Sequence, residues 1–206
     1  YNKWFKNSDV AIKRIENILD STTKECSKLN NNSIISVGRL NYIKDFISLI
    51  DVFYLAKKKN EDLKLYLLGD GEEKERITKR IKDLKLEDSV IMPGFVNSNE
   101  VEKYMLKSDI YVMTSISECF PMVLLESYDC GLPVISFDIL TGPREIVKNG
   151  QTGYLIANRD KEEMAKKINS LINDKIKLQE FGTNAKKEAE KYRVTSIIKK
   201  WRNIFK

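Results

Sequence analysis

The chain contains no histidine among its 206 residues, and it has only three cysteines. Without histidine, Ser-His-Asp and Cys-His nucleophilic catalysis are excluded, which leaves carboxylates, lysines, arginines and backbone amides as candidate catalytic groups. Cys26, Cys119 and Cys130 show no CxxC spacing and have no histidine to complete a zinc set. The sequence therefore predicts free thiols in a reducing compartment and no metal site.

Long apolar runs and segregated charge are also missing. No stretch approaches the ~20 consecutive apolar residues of a membrane-spanning helix, and the first residues do not have the form of a signal peptide. The 36 basic and 30 acidic residues are interspersed and leave a net charge of +6. A nucleic-acid-binding protein usually concentrates its positive charge, so we expect no nucleic-acid partner. The sequence predicts a cytoplasmic protein whose charge is compatible with peripheral contact at the inner face of the cell membrane.

Short β-branched runs alternate with segments whose apolar residues recur at helical spacing. Strands are predicted at 33–37, 63–68, 89–92, 110–113, 132–136 and 152–156, and helices at 43–58, 72–84, 98–107 and through most of the chain after 160. This order predicts an α/β fold with a doubly wound, parallel, Rossmann-like sheet and a helical C-terminal segment. Ligands of such sheets bind beyond the carboxyl ends of the strands. Four glycines follow predicted strands at that edge: Gly38, Gly69, Gly71 and Gly94.

Two carboxylates eight residues apart frame the segment ECFPMVLLE, which lies between two predicted strands. Pro121 suits the first turn of a helix, so Glu118 is predicted in the loop before this helix and Glu126 within it. The N–H groups from Met122 onward, together with the helix dipole, provide a place to hold phosphate oxygens. A diphosphate bound there would leave a ribose near Glu126 and a sugar near Glu118. An isolated pair of acids would be ordinary solvated side chains, but this context favours a ligand site.

A second pair of candidate site residues follows the first predicted strand. Arg39 leaves the end of the strand and Lys44 falls in the first turn of the next predicted helix, so both side chains are expected to converge over one crevice. Arginine can hold two phosphate oxygens in a planar fork, and lysine adds a compact charge. Two cations near a helix N-terminus can stabilise a departing diphosphate without a metal.

A dinucleotide-binding dehydrogenase is disfavoured by the glycine pattern. Its GxGxxG fingerprint would have to open the helix that follows a strand. The glycines at 69 and 71 are followed by Lys74 at the third glycine position, and the Glu-rich start of the next helix would repel a pyrophosphate.

Taken in their order along the chain, these residues resemble the C-terminal, donor-binding domain of retaining GT-B glycosyltransferases, a family that includes many bacterial cell-surface polysaccharide enzymes. The resemblance extends over residues 33–157 and includes GPREIVKNGQTGYLI at 142–156. RIENILD at 14–20 further resembles the family's interdomain linker. The resemblance implies that residues 1–20 are the tail of a missing N-terminal domain and the linker, and that residues 21–206 form the nucleotide-sugar-binding domain.

The resemblance also implies a role for each matching residue. Arg39 and Lys44 would hold the donor diphosphate, and Glu118 would join them in the catalytic set by binding hydroxyls of the transferred sugar. Glu126 would accept hydrogen bonds from the ribose hydroxyls. Cys119, where the family often has glycine, would narrow the sugar pocket. The other donor-binding residues would allow close approach, border the base or offer amides: Gly38, Gly69, Phe95, Val96, Phe120, Met122 and Val123.

The implied enzyme moves a hexose or N-acetylhexosamine from a nucleotide-sugar, with UDP as the expected nucleotide, to a glycan or lipid-linked acceptor in cell-surface polysaccharide synthesis. No metal and no cofactor besides this donor is expected. The missing domain would bind the acceptor, so the fragment by itself is expected to transfer poorly or not at all. One alternative is a non-catalytic nucleotide-sugar-binding module. A second is a nucleotide-sugar epimerase, which the lack of histidine and the glutamate spacing disfavour. A third is a nucleic-acid-binding role, which predicts a steep salt dependence with RNA or DNA and no preference for sugar nucleotides.

Overall fold

The computed structural model describes residues 13–20 and 23–205, so most of the predicted N-terminal tail lies outside the described residues. The strands are β1 (Ser33–Val37), β2 (Lys64–Leu68), β3 (Val90–Gly94), β4 (Ile110–Met113), β5 (Val134–Phe137) and β6 (Gly153–Ile156). They form one six-stranded sheet in the order β3-β2-β1-β4-β5-β6, and every neighbouring pair is parallel. The predicted doubly wound, Rossmann-like sheet is therefore confirmed.

Eight α-helices are found in the described part of the chain, and they connect and cover the strands. They are α1 (Phe46–Lys57), α2 (Lys74–Asp83), α3 (Ser98–Leu106), α4 (Met122–Asp129), α5 (Pro143–Ile146), α6 (Lys161–Asn173), α7 (Lys175–Ala189) and α8 (Val194–Arg202). From β1 the strand order runs in both directions, so right-handed crossovers place α1 and α2 on one face of the sheet and α4 on the other. The segment after β6 is helical, as predicted.

Strands β4 and β5, which precede and follow α4, are buried along their whole length. All four residues of β4 and all four of β5 are buried, which is the pattern of a parallel sheet covered on both faces. Because both faces are packed, ligands bind such a sheet at the carboxyl ends of its strands, where the loops between strands and helices lie.

The predicted first helix is not continuous. Tyr42–Lys44 form a short 3-10 turn, Asp45 adopts a left-handed conformation with φ 46°, and α1 begins only at Phe46. The side chain of Asn41 caps the turn by accepting from the N–H of Lys44, and the side chain of Asp45 caps α1 in the same way. The prediction that Lys44 lies in the first turn of a helix is therefore wrong, because two separate caps divide the segment.

Two further element ends differ from the predictions. Pro121 has an extended conformation and immediately precedes α4, which begins at Met122, so the prediction that it lies in the first helical turn is wrong. Strand β3 continues through Pro93 to Gly94, which pairs with the end of β2. A proline is tolerated there because β3 lies at the edge of the sheet and has one side without a partner strand.

Candidate functional site

A cavity of about 470 Å³ opens at the carboxyl ends of β1, β2 and β3. This volume is within the range of small-molecule sites. Five of the predicted donor-binding residues line it: Gly38, Arg39, Gly69, Phe95 and Val96. Phe95 lines this cavity and is 83% exposed, so its ring offers an apolar face to a ligand.

Close backbone packing of two turns forms one side of this cavity. Gly69 has φ 140°, and a Cβ at this position would lie 1.9 Å from the carbonyl oxygen of Gly38. Only glycine fits there. A Cβ on Gly38 would in turn lie 3.3 Å from the Cε of Lys44. The absence of a side chain on Gly38 therefore leaves room for the side chain of Lys44 to extend into the site.

Lys44 and Glu118 form an ion pair beside the start of α4. The Nζ of Lys44 donates to Oε1 of Glu118 at 2.6 Å, and the hydroxyl of Ser115 donates to the same oxygen at 2.7 Å. The two charged side chains are only 24% and 12% exposed, so water screens their attraction weakly. Glu118 lies in the loop before α4, as predicted, and the sequence did not reveal that it pairs with Lys44.

Arg39 pairs with a different carboxylate from the one that pairs with Lys44. Its Nε donates to a carboxylate oxygen of Glu72 at 3.3 Å, and its side chain is 72% exposed. The expectation that Arg39 and Lys44 converge over one crevice is therefore wrong for this structure, because each cation turns to a different carboxylate. Exposed ion pairs contribute little free energy, so Arg39 can exchange Glu72 for a ligand anion at small cost.

Glu126 lies within α4, as predicted, and faces a second cavity of about 470 Å³ that is also lined by residues of α3. Val37 and Val101 line both cavities, so the two are neighbours. Burial raises the pKa of the Glu126 carboxyl above its ordinary value. Among residues 13–20 and 23–205, no group donates a hydrogen bond to this carboxylate. It is therefore an acceptor ready for hydroxyl donors of a ligand.

The start of α4 provides amide donors next to the ion pair. Met122 and Val123 are in the first turn, where backbone N–H groups have no acceptors within the helix. The ring of Phe120 packs against Tyr192, with ring centroids 6.0 Å apart. The contact predicted for Phe120 is made by its backbone amide and does not involve this ring.

The loop that carries Glu118 is held by the segment after β5. The hydroxyl of Thr141 donates to the carbonyl oxygen of Glu118 at 2.5 Å. Gly142 has φ 87°, and a Cβ there would lie 2.9 Å from the Cβ of Glu118 and 3.0 Å from the Cδ of Pro121. The sequence indicated no role for the segment at 142–156, and the structure shows that its first residue, Gly142, packs against the loop that carries Glu118.

Within residues 13–20 and 23–205, no three His, Cys, Asp or Glu side chains are grouped as metal ligands. The three cysteines are free thiols, as predicted, and Cys119 is exposed beside Glu118. None of the described helices combines the length and the apolar character needed to cross a membrane.

The chain is similar to several glycosyltransferases of known sequence and structure. The amylovoran biosynthesis glycosyltransferase AmsD of Erwinia amylovora is 35% identical over 175 residues, which is 84% of this chain and 48% of AmsD. A mutant of Staphylococcus aureus TarM, solved with fondaparinux, alpha-GlcNAc-glycerol and UDP, matches with a TM-score of 0.85 and 30% identity over 98% of this chain and 41% of its own. Anabaena HepE in complex with UDP and glucose matches with a TM-score of 0.76 and 27% identity, over 85% and 48% of the two chains.

The chain spans about half the length of the curated relatives it matches. The family model described as "Glycosyl transferases group 1" matches residues 14–188. With its parallel Rossmann-like sheet and its similarity to GT-B glycosyltransferase structures, the chain belongs to the group 1 glycosyltransferases.

Proposed function

We propose that this chain is the nucleotide-sugar-binding half of a retaining glycosyltransferase of cell-surface polysaccharide synthesis. The enzyme moves a hexose or N-acetylhexosamine from a UDP-sugar to a glycan or lipid-linked acceptor. The observation that carries the proposal is the Lys44–Glu118 pair beside the start of α4, with Glu126 on the same helix, whose carboxylate accepts no hydrogen bond from the described residues. The UDP complexes of the two related structures support UDP as the nucleotide.

The diphosphate of the donor binds at the start of α4. The first-turn amides of Met122 and Val123 and the ammonium of Lys44 contact its oxygens, and Arg39 turns from Glu72 to join them. Negative charge grows on the diphosphate as the bond to the sugar breaks. Preorganised donors and a helix N-terminus stabilise that charge best in the transition state. These groups supply the stabilisation from protein atoms alone, so we propose that no metal is required.

The two glutamates hold the two ends of the donor. Glu126 accepts hydrogen bonds from the ribose hydroxyls, which satisfy a partly desolvated carboxylate that has no donor among the residues the structure describes. Glu118 accepts from hydroxyls of the sugar once Lys44 has moved to the diphosphate. Phe95 and Val96 border the base at the rim of the first cavity.

The acceptor is bound by a further domain, because the chain matches only about half the length of its relatives. Residues 14–20 form the linker to that domain. In the structure the backbone N–H of Leu19 donates to the carbonyl oxygen of Tyr192 at 2.8 Å, and Glu16 pairs with Lys200 at 2.5 Å. These contacts support a linker that runs beside the C-terminal helices, and residues 21–206 as the donor domain, which transfers poorly or not at all when alone.

Calorimetric titration with UDP, GDP and ADP, in buffer containing EDTA, tests the donor site. Wild-type protein is expected to bind UDP with saturation, and Glu126→Ala is expected to weaken UDP at least about tenfold, because a charged acceptor of two hydroxyl donors is lost. Lys161→Met serves as control, since Lys161 pairs with Asp51 on α1, outside the donor site. No saturable binding of any nucleotide to the folded protein would refute the proposal.

A further inference from the structure

Arg159, in the loop between β6 and α6, joins two segments of the candidate site that are far apart in the sequence. Its Nη1 donates to Oδ2 of Asp45 at 2.6 Å and to the carbonyl oxygen of Thr114 at 2.9 Å. Its Nη2 donates to the carbonyl oxygen of Ser115 at 3.4 Å. The guanidinium of Arg159 thus links the turn after β1 to the end of β4 by hydrogen bonds.

Each of these contacts adjoins a charged group of the site. Asp45 directly follows Lys44, and Ser115 donates its hydroxyl to the carboxylate of Glu118. The same two segments are bonded to each other, because the N–H of Ile116 donates to the carbonyl oxygen of Ile43 at 2.7 Å. The geometry of the Lys44–Glu118 pair therefore depends on how these segments are held.

The backbone of Arg159 indicates that its side chain is held firmly. Arg159 has φ 68°, a left-handed conformation that residues other than glycine seldom adopt. Its guanidinium also lies over the ring of Phe137, 5.1 Å from the centroid. The loop holds Arg159 in this unfavourable backbone conformation, from which the guanidinium reaches its three hydrogen-bond partners and the ring of Phe137.

We propose that Arg159 is a positioning residue, which holds Lys44 and Glu118 at the separation that a donor diphosphate requires. The inference rests on the proposed nucleotide-sugar site. Arg159 acts through Asp45, Thr114 and Ser115 and has no contact with the carboxylate of Glu126. Its loss should therefore weaken binding of the diphosphate and leave the ribose end of the site unchanged.

Two variants of Arg159 and one control separate this role from general stability. Arg159→Gly removes the guanidinium and also relieves the left-handed backbone, so the fold is retained. Arg159→Lys keeps one charge that can bond Asp45 but lacks the fork that spans two segments. Lys161→Met is the matched control: Lys161 is 33% exposed, as Arg159 is, and its ion pair ties the start of α6, directly after that loop, to α1.

The first measurement, hydrogen exchange on the 206-residue chain, needs no ligand. In Arg159→Gly the amide of Ile116 is expected to exchange at least about tenfold faster than in the wild type, while Lys161→Met leaves it unchanged. An unchanged rate at Ile116 in Arg159→Gly would overturn the inference.

The second measurement is calorimetric titration with UDP and with UMP, which lacks the β-phosphate. Arg159→Gly is expected to bind UDP about tenfold more weakly and UMP within about twofold of the wild type, with Arg159→Lys between the two for UDP. Equal losses for UDP and UMP, or unchanged UDP affinity in both variants, would overturn the positioning role alone. Failure of the wild type to bind UDP would instead overturn the proposed function, and the positioning role with it.

Discussion

Replacement of Glu118 by glutamine is expected to raise the affinity of the chain for UDP. In the structure Nζ of Lys44 lies 2.6 Å from Oε1 of Glu118, so a bound diphosphate must compete with this carboxylate for the same ammonium. Glutamine keeps the size of the side chain and an oxygen acceptor for Ser115, but it removes the negative charge. The ammonium is then held less tightly, and the repulsion between the carboxylate and the phosphates disappears.

The size of the effect follows from the burial of the pair. Exposed ion pairs contribute about 0–1 kcal/mol and buried ones about 3–5 kcal/mol when one partner is removed. Lys44 and Glu118, at 24% and 12% exposure, lie between these limits. A gain of about 1–2 kcal/mol is expected, which corresponds to a dissociation constant for UDP about 5–30 times lower.

Calorimetric titration with UDP measures this gain in affinity, and titration with a UDP-sugar measures how much of the gain remains when the donor carries its sugar. UDP should gain the full amount, whereas the UDP-sugar should gain less, because the sugar hydroxyls lose a charged acceptor. Glu72→Gln is the matched control: it removes the carboxylate that pairs with Arg39 at the surface, and the change should stay within about twofold. UDP binding to Glu118→Gln that equals or falls below that of the wild type would refute the reasoning.

Three further predictions concern stability. Burial raises the pKa of Glu126 above the ordinary 4.5, so the native state loses stability as the pH rises from the pKa of this carboxyl in the unfolded chain to its pKa in the folded chain. Glu126→Gln should therefore unfold at a higher temperature than the wild type near pH 7, and thermal scans should show no difference near pH 3. Gly69→Ala should lower the free energy of unfolding by at least about 3 kcal/mol in urea titrations, because the new Cβ would lie 1.9 Å from a carbonyl oxygen of the neighbouring turn. Asp129→Ala should cost about 3–5 kcal/mol by the same assay, since the fully buried carboxylate pairs with Lys186 and Arg193; a loss below about 1 kcal/mol would contradict this account of the buried cluster.

The fold was predictable because the sheet leaves a strong pattern in the sequence. Strands 33–37 and 110–113 were predicted to the residue, since β-branched and apolar runs stand out between amphipathic helices. The break at Asp45 was missed because apolar spacing continues across it. Its signals are local, a capping Asn and a capping Asp, and they outweigh the periodicity.

The members of the site were easier to predict than their contacts. Residues at strand ends meet at one edge of a parallel sheet, and this principle brought Arg39, Lys44 and Glu118 into the same hypothesis. The Lys44–Glu118 ion pair joins residues 74 positions apart, and the Arg159–Asp45 pair joins residues 114 apart. Such partners are chosen by tertiary packing, which no local spacing reports. Arg39 was assigned to the same crevice because only its position in the chain could be used.

A crystal structure of this chain with bound UDP tests the donor site most directly. The account predicts the β-phosphate at the first turn of α4 within hydrogen-bonding distance of the Nζ of Lys44, and the ribose hydroxyls donating to the carboxylate of Glu126. Uridine diphosphate bound elsewhere on the protein, or bound here with Lys44 still paired to Glu118 and no ribose contact to Glu126, would contradict it.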